Sequence, residues 1–453
     1  MNKGIEILAP VGSFQSLKAA VLNGANAVYL GGKLFNARHY ASNFSNEELL
    51  EAVRYAHLRD VKVYVTVNIL MDESEIEDAL DYVTFLYEIG VDAIIVQDLG
   101  FAMLVKDMIP NMPLHASTQM TVNNLEGVKY LEALGFERVV LARETPIEEI
   151  KYIKANSNIE LEGFIHGALC ISYSGQCLMS SLIGGRSGNR GTCAQPCRME
   201  YTVLDEEDKA LKNWDSGYYL STKDLNTLEH IKEIIDGGIV SLKIEGRMKR
   251  PEYVATVVKT YRKALDLGSE YITPEDKADV KQIFNREFTK GVGLGDFGRS
   301  FVSTDRPDNR GVTIGKISNW SKKGIVLHIY NDLNIGDGLE WQDQKGNMTG
   351  YKVDKNYKKG EKVHIPFAPD GQIGGEVRRT LSSRLMEDAQ DTFENRDKEH
   401  FIHLDTSLNI DQAPILRAYM KDIVVEVTGD ESVQKAYKAP LTKEKVFDQL
   451  SKL

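Results

Sequence analysis

The sequence predicts an α/β protein: a parallel (β/α)8 barrel of the TIM type, carrying a cysteine-rich insertion and followed by a small all-β barrel. Three observations lead there. Short apolar runs alternate with amphipathic stretches eight times between residues 5 and 267, at about 25 to 30 residues per unit apart from one large insertion, the rhythm of successive βα units. No G-x-G-x-x-G opens a helix after any of these runs, which weakens the competing doubly wound dinucleotide fold. Beyond residue 311 the signal changes to short strands separated by turns,.

The units follow in order. Ile5 to Leu8 is strand-like, Ala9-Pro10-Val11-Gly12-Ser13 breaks it, and Ser13 can cap a helix from Phe14 to Asn23,. Ala27 to Leu30 is the second strand. Ser45 with Glu48 three residues on has capping-box spacing and starts a helix reaching Leu58,. Lys62 to Val67 and Ala93 to Val96 are the third and fourth strands, with a helix from Glu75 to Ile89 between them. Leu114 to Ala116, Arg138 to Leu141, Leu161 to Ile165 and Ile239 to Ile244 complete the eight. Helices from Asn124 to Leu134, Ile147 to Lys154 and Pro251 to Leu267 accompany them. The barrel thus occupies residues 1–268, with the insertion at about 166–235. Residues 269–310 connect it to the small β-barrel at 311–380, whose Gly-Asp-Gly at 336–338 and Lys-Gly-Asn at 345–347 are turn signals,. A helix from Leu381 to Asn395, strands in FIHLDTSLNI and DIVVEVTGD, and a helix over 441–453 follow. That last segment is too short to bury its own core, so it packs on the barrel or belongs to a longer chain of which this is a piece.

In such a barrel, function gathers on the loops after the carboxyl ends of the strands. Asn68, Gln97, His115, Gln119, Arg143, Glu144, His166, Lys243, Glu245 and Arg247 all fall there. Each alone has an ordinary explanation as a cap or a salt-bridge partner; ten at strand ends line a pocket.

The stretch from Glu162 to Arg198 holds all four cysteines, Cys170, Cys177, Cys193 and Cys197, separated by six, fifteen and three residues. Four thiolates can fill a tetrahedral zinc site or hold the irons of a four-iron cluster. Only Cys193 and Cys197 have the spacing of a zinc knuckle, and wide, uneven spacing suits a polynuclear cluster better than one ion. A lone reactive cysteine, buried small hydrophobes or disulfides are the alternatives. Between the second and third cysteines lies Gly184-Gly185-Arg186-Ser187-Gly188-Asn189-Arg190-Gly191. Its glycines let backbone amides turn inward, and Arg186 and Arg190 are bidentate donors for a phosphate, a carboxylate or RNA.

Composition narrows the function classes. The 453 residues are 42% hydrophobic and 27% charged, ordinary for a globular chain, with a net charge of −11. That balance argues against a nonspecific nucleic-acid coat but leaves room for an RNA-modifying enzyme with a local basic face. No apolar run approaches the ~20 residues needed to span a bilayer. No secretory signal opens the chain, which places it in the cytoplasm, where thiols stay reduced. There is neither an H-E-x-x-H helix nor a G-x-S-x-G elbow,.

The segment Glu162 to Arg198 resembles the signature of the collagenase-like peptidase family, through Glu162, Phe164, Gly167, Ala168, Cys170, Gly175, Cys177 and Ser180. LAPVGS at 8–13, AVYLGG at 27–32, HASTQM at 115–120 and KIEGR at 243–247 extend the resemblance over about residues 5–380. The family name implies proteolysis. Several members instead look like RNA hydroxylases acting at C5 of a tRNA wobble uridine or a 23S ribosomal cytidine, dependent on prephenate and an iron–sulfur cluster; relatives hydroxylate a ubiquinone precursor. The resemblance implies a [4Fe–4S] cluster on Cys170, Cys177, Cys193 and Cys197, with zinc as the alternative occupant. Some relatives take one ligand from the later S-x-K-D-L segment, which here, at Ser221 to Leu225, has no cysteine. The last fifty residues resemble the start of an extra domain of longer members, which tilts toward the ribosomal group. Prephenate carries two carboxylates, for which Arg143, Lys243 and Arg247 are receptors. Asn68, His115, Gln119, Arg186 and Arg190 are further substrate contacts, and Glu144, His166 and Glu245 are acid/base or orienting candidates. The competing readings are a cysteine- or metal-dependent peptidase, for which His166 near Cys170 would form the pair, and a noncatalytic RNA-binding accessory protein.

Overall fold

The computed structural model describes residues 4–38, 40–211, 216–321, 323–366, 370–394, 402–420, 423–437 and 439–450. They fall into two compact units, residues 1–397 and 398–453.

Eight strands of the first unit close on themselves: Glu6–Pro10, Ala27–Leu30, Lys62–Val67, Ala93–Val96, Leu114–Ala116, Arg138–Val140, Glu160–Ala168 and Ser241–Ile244. Each pairs in parallel with the next, and the eighth pairs with both the first (Glu6 opposite Ser241) and the seventh (Glu162 opposite Ser241). This is the predicted (β/α)8 barrel. The seventh strand overshoots the rim: His166–Ala168 pairs antiparallel with Asp224–Asn226, which brings the chain back from the insertion. Several predicted caps are present. Ser13 accepts from the Ser16 amide, and Ser45 and Glu48 form the reciprocal box. A helix at Leu99–Met108 was not predicted; Asp98 caps it by accepting from the Phe101 amide.

Strand periodicity sorts the barrel residues into two sets. Ile7, Ala9, Val28, Leu30, Val63 and Val65 face the helices and join the main core. Leu8, Ala27, Tyr29, Tyr64, Ala93 and Ile95 face inward and form a separate layer. Beside that layer the barrel interior holds ions. Glu162 accepts from Lys243 Nζ at 2.7 Å and from Arg138 at 3.3 Å, Arg138 also meets Glu6 at 2.7 Å, and Tyr64 donates to Glu6 at 2.7 Å.

The predicted small β domain is a six-stranded antiparallel sheet, in the order 348–352, 338–342, 376–381, 312–321, 324–329 and 362–366. Ile314, Leu327, Trp341, Val363 and Val377 fill its core. The helix expected at 381–395 spans Ser383–Gln390; Ala389 and the following Phe393 join the barrel core, so this stretch belongs to the first unit and not with the residues after it. The second unit is a three-stranded antiparallel sheet, His403–Ser407, Ile415–Met420 and Ile423–Thr428, with a helix at Lys443–Leu450. Its middle strand was not predicted. Of the predicted elements, residues 395, 401, 422 and 451–453 lie outside the described residues. Among the described residues no helix is long and apolar enough to cross a membrane.

Candidate active site at the barrel mouth

A cavity of about 530 Å³ of free space, including its opening, lies at the carboxyl ends of the strands. Its charged lining is Arg38, Arg143, Lys243, Glu245 and Arg247, and Asn68 and Gln119 add amides. Four cations therefore face one carboxylate. Glu245 is shared between Arg38 at 3.3 Å and Arg143 at 3.5 Å. Burial opposes its ionisation, but Arg38, Arg143 and Lys243 outweigh burial and hold the carboxyl below its usual range. Arg143 lies over the Phe164 ring at 3.9 Å, which fixes the plane of its guanidinium,. Lys243 sits 4.5 Å from the Tyr29 ring centre and is held from below by Glu162.

Arg247 is only 4% exposed. Neutral oxygens hold it, those of Asn43 at 2.7 Å, Thr66 at 3.0 Å and Asn36 at 3.3 Å. Burial pushes its guanidinium down to about 10. A buried cation served only by neutral acceptors is stabilised by any anion that enters. Asn68 accepts from the Ala37 amide at 3.1 Å and donates to Gln119 Oε1 at 3.3 Å, tying three strand-end loops together.

The cysteine segment is docked on this mouth. Two glycines permit the close approach: a Cβ on Gly175 (φ +76°) would lie 2.1 Å from the Gln119 carbonyl, and one on Gly191 (φ +76°) 2.4 Å from that of Asn36,. Ser174 donates through both its amide (2.9 Å) and its hydroxyl (3.0 Å) to Glu144, and Arg190 grips Glu75 bidentately at 2.6 and 2.7 Å. Arg198 donates to Ser221 and Thr222 hydroxyls, each at 2.8 Å, and to the Leu169 carbonyl.

All four cysteines are free thiols. Among the described residues no group of three or more His, Cys, Asp or Glu side chains is placed to hold a metal ion. The sulfurs nonetheless share one neighbourhood. Burial raises the Cys197 thiol; Arg198 opposes the rise, and Cys170, Cys193 and Cys177 add to it. Cys193 is also near enough to help raise Arg38, whose main partner is Glu245. The four thiols lie near enough to influence one another's charge, and Arg198 is at hand to offset it.

The other expected site residues are placed differently. His115 points into the barrel away from the mouth; it packs edge-on against Tyr64 at 4.7 Å and lines a cavity at the opposite end with Lys62 and Arg138. A three-residue strand gave no cue to which end its middle side chain serves. His166 is boxed by Tyr253, Tyr261 and Phe288, with Tyr261 Oη 3.3 Å from Nδ1, and burial pushes it down to about 3. It is neutral at physiological pH, and its ring partner is a phenol, not a thiol. Glu144 is committed to Ser174, and Arg190 to Glu75, so both position the cysteine loop. Arg186 is exposed, donates to the Thr192 carbonyl and stacks on Tyr40 at 5.0 Å. Gln97 is buried but does not line the mouth cavity. Arg38 was missed, because it lies well past the second strand in an irregular stretch; the Gly31-Gly32 pair after that strand was the available signal for a loop turning over the mouth.

Fold and site define a (β/α)8-barrel protein with a cation-lined mouth on which a thiol-bearing loop is docked. The chain belongs to peptidase family U32, whose family model matches residues 12–298. It is 36% identical over 371 residues to a 23S rRNA 5-hydroxycytidine synthase of Escherichia coli, a match covering 79% of this chain and 55% of that protein. It is 42% identical over 270 residues to tRNA hydroxylation protein P1 of Bacillus subtilis, covering 59% of this chain and 64% of that protein. It is 34% identical over 388 residues to an uncharacterized protease of Methanocaldococcus jannaschii, covering 80% of this chain and 94% of that one. The chain thus spans between about half and nearly all of the curated relatives it matches.

Proposed function

We propose that the protein is a cytoplasmic RNA-modifying enzyme that hydroxylates C5 of a pyrimidine in tRNA or 23S rRNA. In this reading Cys170, Cys177, Cys193 and Cys197 hold a [4Fe–4S] cluster, and the mouth cavity takes a small dicarboxylate, prephenate, as co-substrate. The observation that carries it is the cavity's charge: four cations to one carboxylate, under the loop that bears all four thiols. The names of the E. coli and B. subtilis relatives support RNA hydroxylation. The histidine nearest the first cysteine in sequence, His166, packs among three aromatic rings and lies beside the Tyr261 phenol, which speaks against a cysteine–histidine peptidase pair.

The chain's residues have separable tasks. Arg247 and Arg143 bind one carboxylate each, and Lys243 supplies a third charge at the floor. Glu245 stays ionised, orients Arg38 and Arg143, and is the mouth carboxylate able to accept a proton. Asn68 and Gln119 fix neutral oxygens. Arg186, exposed on the loop, is left for RNA phosphate. A bound cluster supplies electrons or a site for an oxygen-bearing ligand.

Anaerobic purification with iron and sulfide counts tests the cofactor: about four irons per chain are expected, falling in each Cys→Ser variant, and one zinc per chain would overturn the cluster. Mass spectrometry of RNA from a deletion strain tests the reaction. Loss of a hydroxylated pyrimidine, restored by the wild-type gene but not by Arg143→Ala, is expected; unchanged RNA would refute it.

A further inference from the structure

The small β domain has an outer face that its own core does not explain. In the strands 312–321, 324–329 and 362–366 alternate residues point inward, and Ile317, Leu327, Val363 and Ile365 join the domain's core,. The register sets the outward residues in a row. Lys316 lies opposite His328, His328 lies opposite Lys362, and His364 lies two residues along, opposite Val326. Lys316, His328, Lys362 and His364 are all exposed. Tyr330 extends the middle strand, its amide donating to the Ile314 carbonyl at 2.7 Å, and it is 40% exposed. Its ring meets that of His328 at 5.7 Å and 75°, an edge contact and not a stack.

The two lysines are uncommitted: among the described residues neither makes a salt bridge. The carboxylates nearby are taken. Glu376, opposite Lys316 on the next strand, is held by Arg378 at 3.0 Å and by the Thr313 hydroxyl at 3.1 Å, with Lys316 only a distant contributor. Glu340 pairs with Arg306 at 2.6 Å, and Glu361 sits by Lys358. In a chain of net charge −11, two uncommitted ammonium groups interleaved with three exposed rings are a local exception,. The sheet is also fixed to the barrel side of the unit. Gln282, in the helix Pro274–Ile283, donates to the Arg379 carbonyl and accepts from Arg379 Nε, each at 2.9 Å.

We infer that this sheet face is a second contact surface for RNA, which takes an unpaired stretch of the substrate outside the target nucleotide, its phosphates on Lys316 and Lys362 and its bases on the exposed rings. Cations track a nucleic-acid backbone, and rings on an open sheet stack bases of any sequence. A duplex would offer phosphates but no open base faces, and an acidic protein would use the cations and leave the rings idle. The inference rests on the RNA reading above.

The test is fluorescence anisotropy on the full chain with a labelled single-stranded RNA about ten nucleotides long. Wild type is compared with Lys316→Ala/Lys362→Ala and with Tyr330→Leu. The double variant should bind about tenfold more weakly, with a salt slope shallower by about 1.4, which is about 0.7 for each lost phosphate contact. Tyr330→Leu should weaken binding about fivefold with the slope unchanged. Exposed positions leave the melting temperature unaltered, and dicarboxylate binding at the mouth should persist in both variants. Labelled polyglutamate and an RNA duplex of equal length should bind more weakly than the single strand and without dependence on Tyr330. RNA affinity and slope unchanged in both variants would overturn this surface while leaving RNA modification standing. Polyglutamate or duplex bound as tightly as the single strand would overturn the assignment to unpaired RNA. A wild type that binds no RNA would overturn the surface, and only unchanged cellular RNA in the deletion strain would overturn the RNA reading with it.

Discussion

Neutralising Glu162 tests the interior ion chain that holds up the mouth. Glu162 has no solvent exposure and accepts from Lys243 Nζ at 2.7 Å, Ser241 Oγ at 3.2 Å and Arg138 at 3.3 Å. In Glu162→Gln, Arg138 keeps Glu6 at 2.7 Å and Glu160 at 2.6 Å, whereas Lys243 has no other carboxylate within ion-pair distance among the described residues. Breaking a buried pair costs about 3–5 kcal/mol because the remaining charge is stranded. One stranded charge, not two, and a glutamine that still accepts a hydrogen bond put this case near 3 kcal/mol, the lower end of that range. The unit that melts spans residues 1–397, so at about 2.1 cal/mol/K per residue the melting temperature should fall by about 4 °C. Glu162→Met/Lys243→Met removes both charges and should recover most of the loss, since apolar replacement of a buried pair is often neutral. Circular dichroism melts of Glu162→Met, Lys243→Met and the double at pH 7 close the cycle, and burial predicts that the coupling survives added salt. A Glu162→Gln protein melting with wild type, or a double variant as damaged as the sum of the singles, would refute the reasoning.

Acid stability should report the two buried histidines. Burial lowers His166 to about 3, and burial with Arg138 and Lys243 lowers His115 well below its ordinary value. Both folded-state values are depressed, so the unfolded chain binds more protons as pH falls below about 6.5, and each histidine removes up to about 1.4 kcal/mol per pH unit. Denaturant melts from pH 7 to 5 should show this slope, halved in His115→Phe, whose ring fits the edge-on packing on Tyr64; an unchanged slope would contradict the burial. Gly12→Ala and Gly31→Ala should separate stability from binding. A Cβ on Gly12 would lie 2.0 Å from the Arg247 carbonyl oxygen, a backbone clash costing about 1–3 kcal/mol or more,. One on Gly31 would lie 2.3 Å from Arg247 Nη2 and 2.9 Å from Thr66 Oγ1, side-chain atoms that can shift only by giving up Arg247 hydrogen bonds. Gly31→Ala should therefore destabilise less than Gly12→Ala yet lose dicarboxylate binding by calorimetry, and equal destabilisation would be the wrong outcome. Arg190→Ala, which frees the cysteine loop from Glu75, should accelerate proteolytic nicking at residues 184–191 with little change in melting; a resistant loop would show that Gly175 and Gly191 docking suffices.

The barrel was legible because its outward strand faces are short, β-branched and regularly spaced. Ala27–Leu30, Lys62–Val67, Ala93–Val96 and Leu114–Ala116 emerge with the predicted bounds. Leu99–Met108 escaped because its residues are apolar nearly all round, leaving no 3.6-residue contrast; only Asp98 marked it,. Strand-end position located Arg143, Lys243, Glu245 and Arg247 but mistook His115, whose strand is too short to show which end a side chain serves. The interior ion pairing of Arg138 and Glu162 was not anticipated, since a charge inside a barrel and one on its rim look alike in one dimension. Arg38 reaches the mouth through a loop with no periodicity at all.

These misses have a common physical origin. A cavity with four cations cannot stand over an apolar barrel floor without strong mutual repulsion, so a compensating charge must lie beneath it. Glu162 meets that need for Lys243, and Arg138 in turn offsets Glu162, Glu6 and Glu160 down the axis. Glu245 does the same above, between Arg38 and Arg143. Arg247 alone among the four has only neutral partners within hydrogen-bond reach. Arg38 and Arg143 share one carboxylate while Arg247 touches none, so an entering carboxylate is drawn to Arg247 before the others. The order of binding strength among Arg247→Gln, Arg143→Gln and Lys243→Gln, with Arg247→Gln weakest, follows from that distribution and not from the number of cations present.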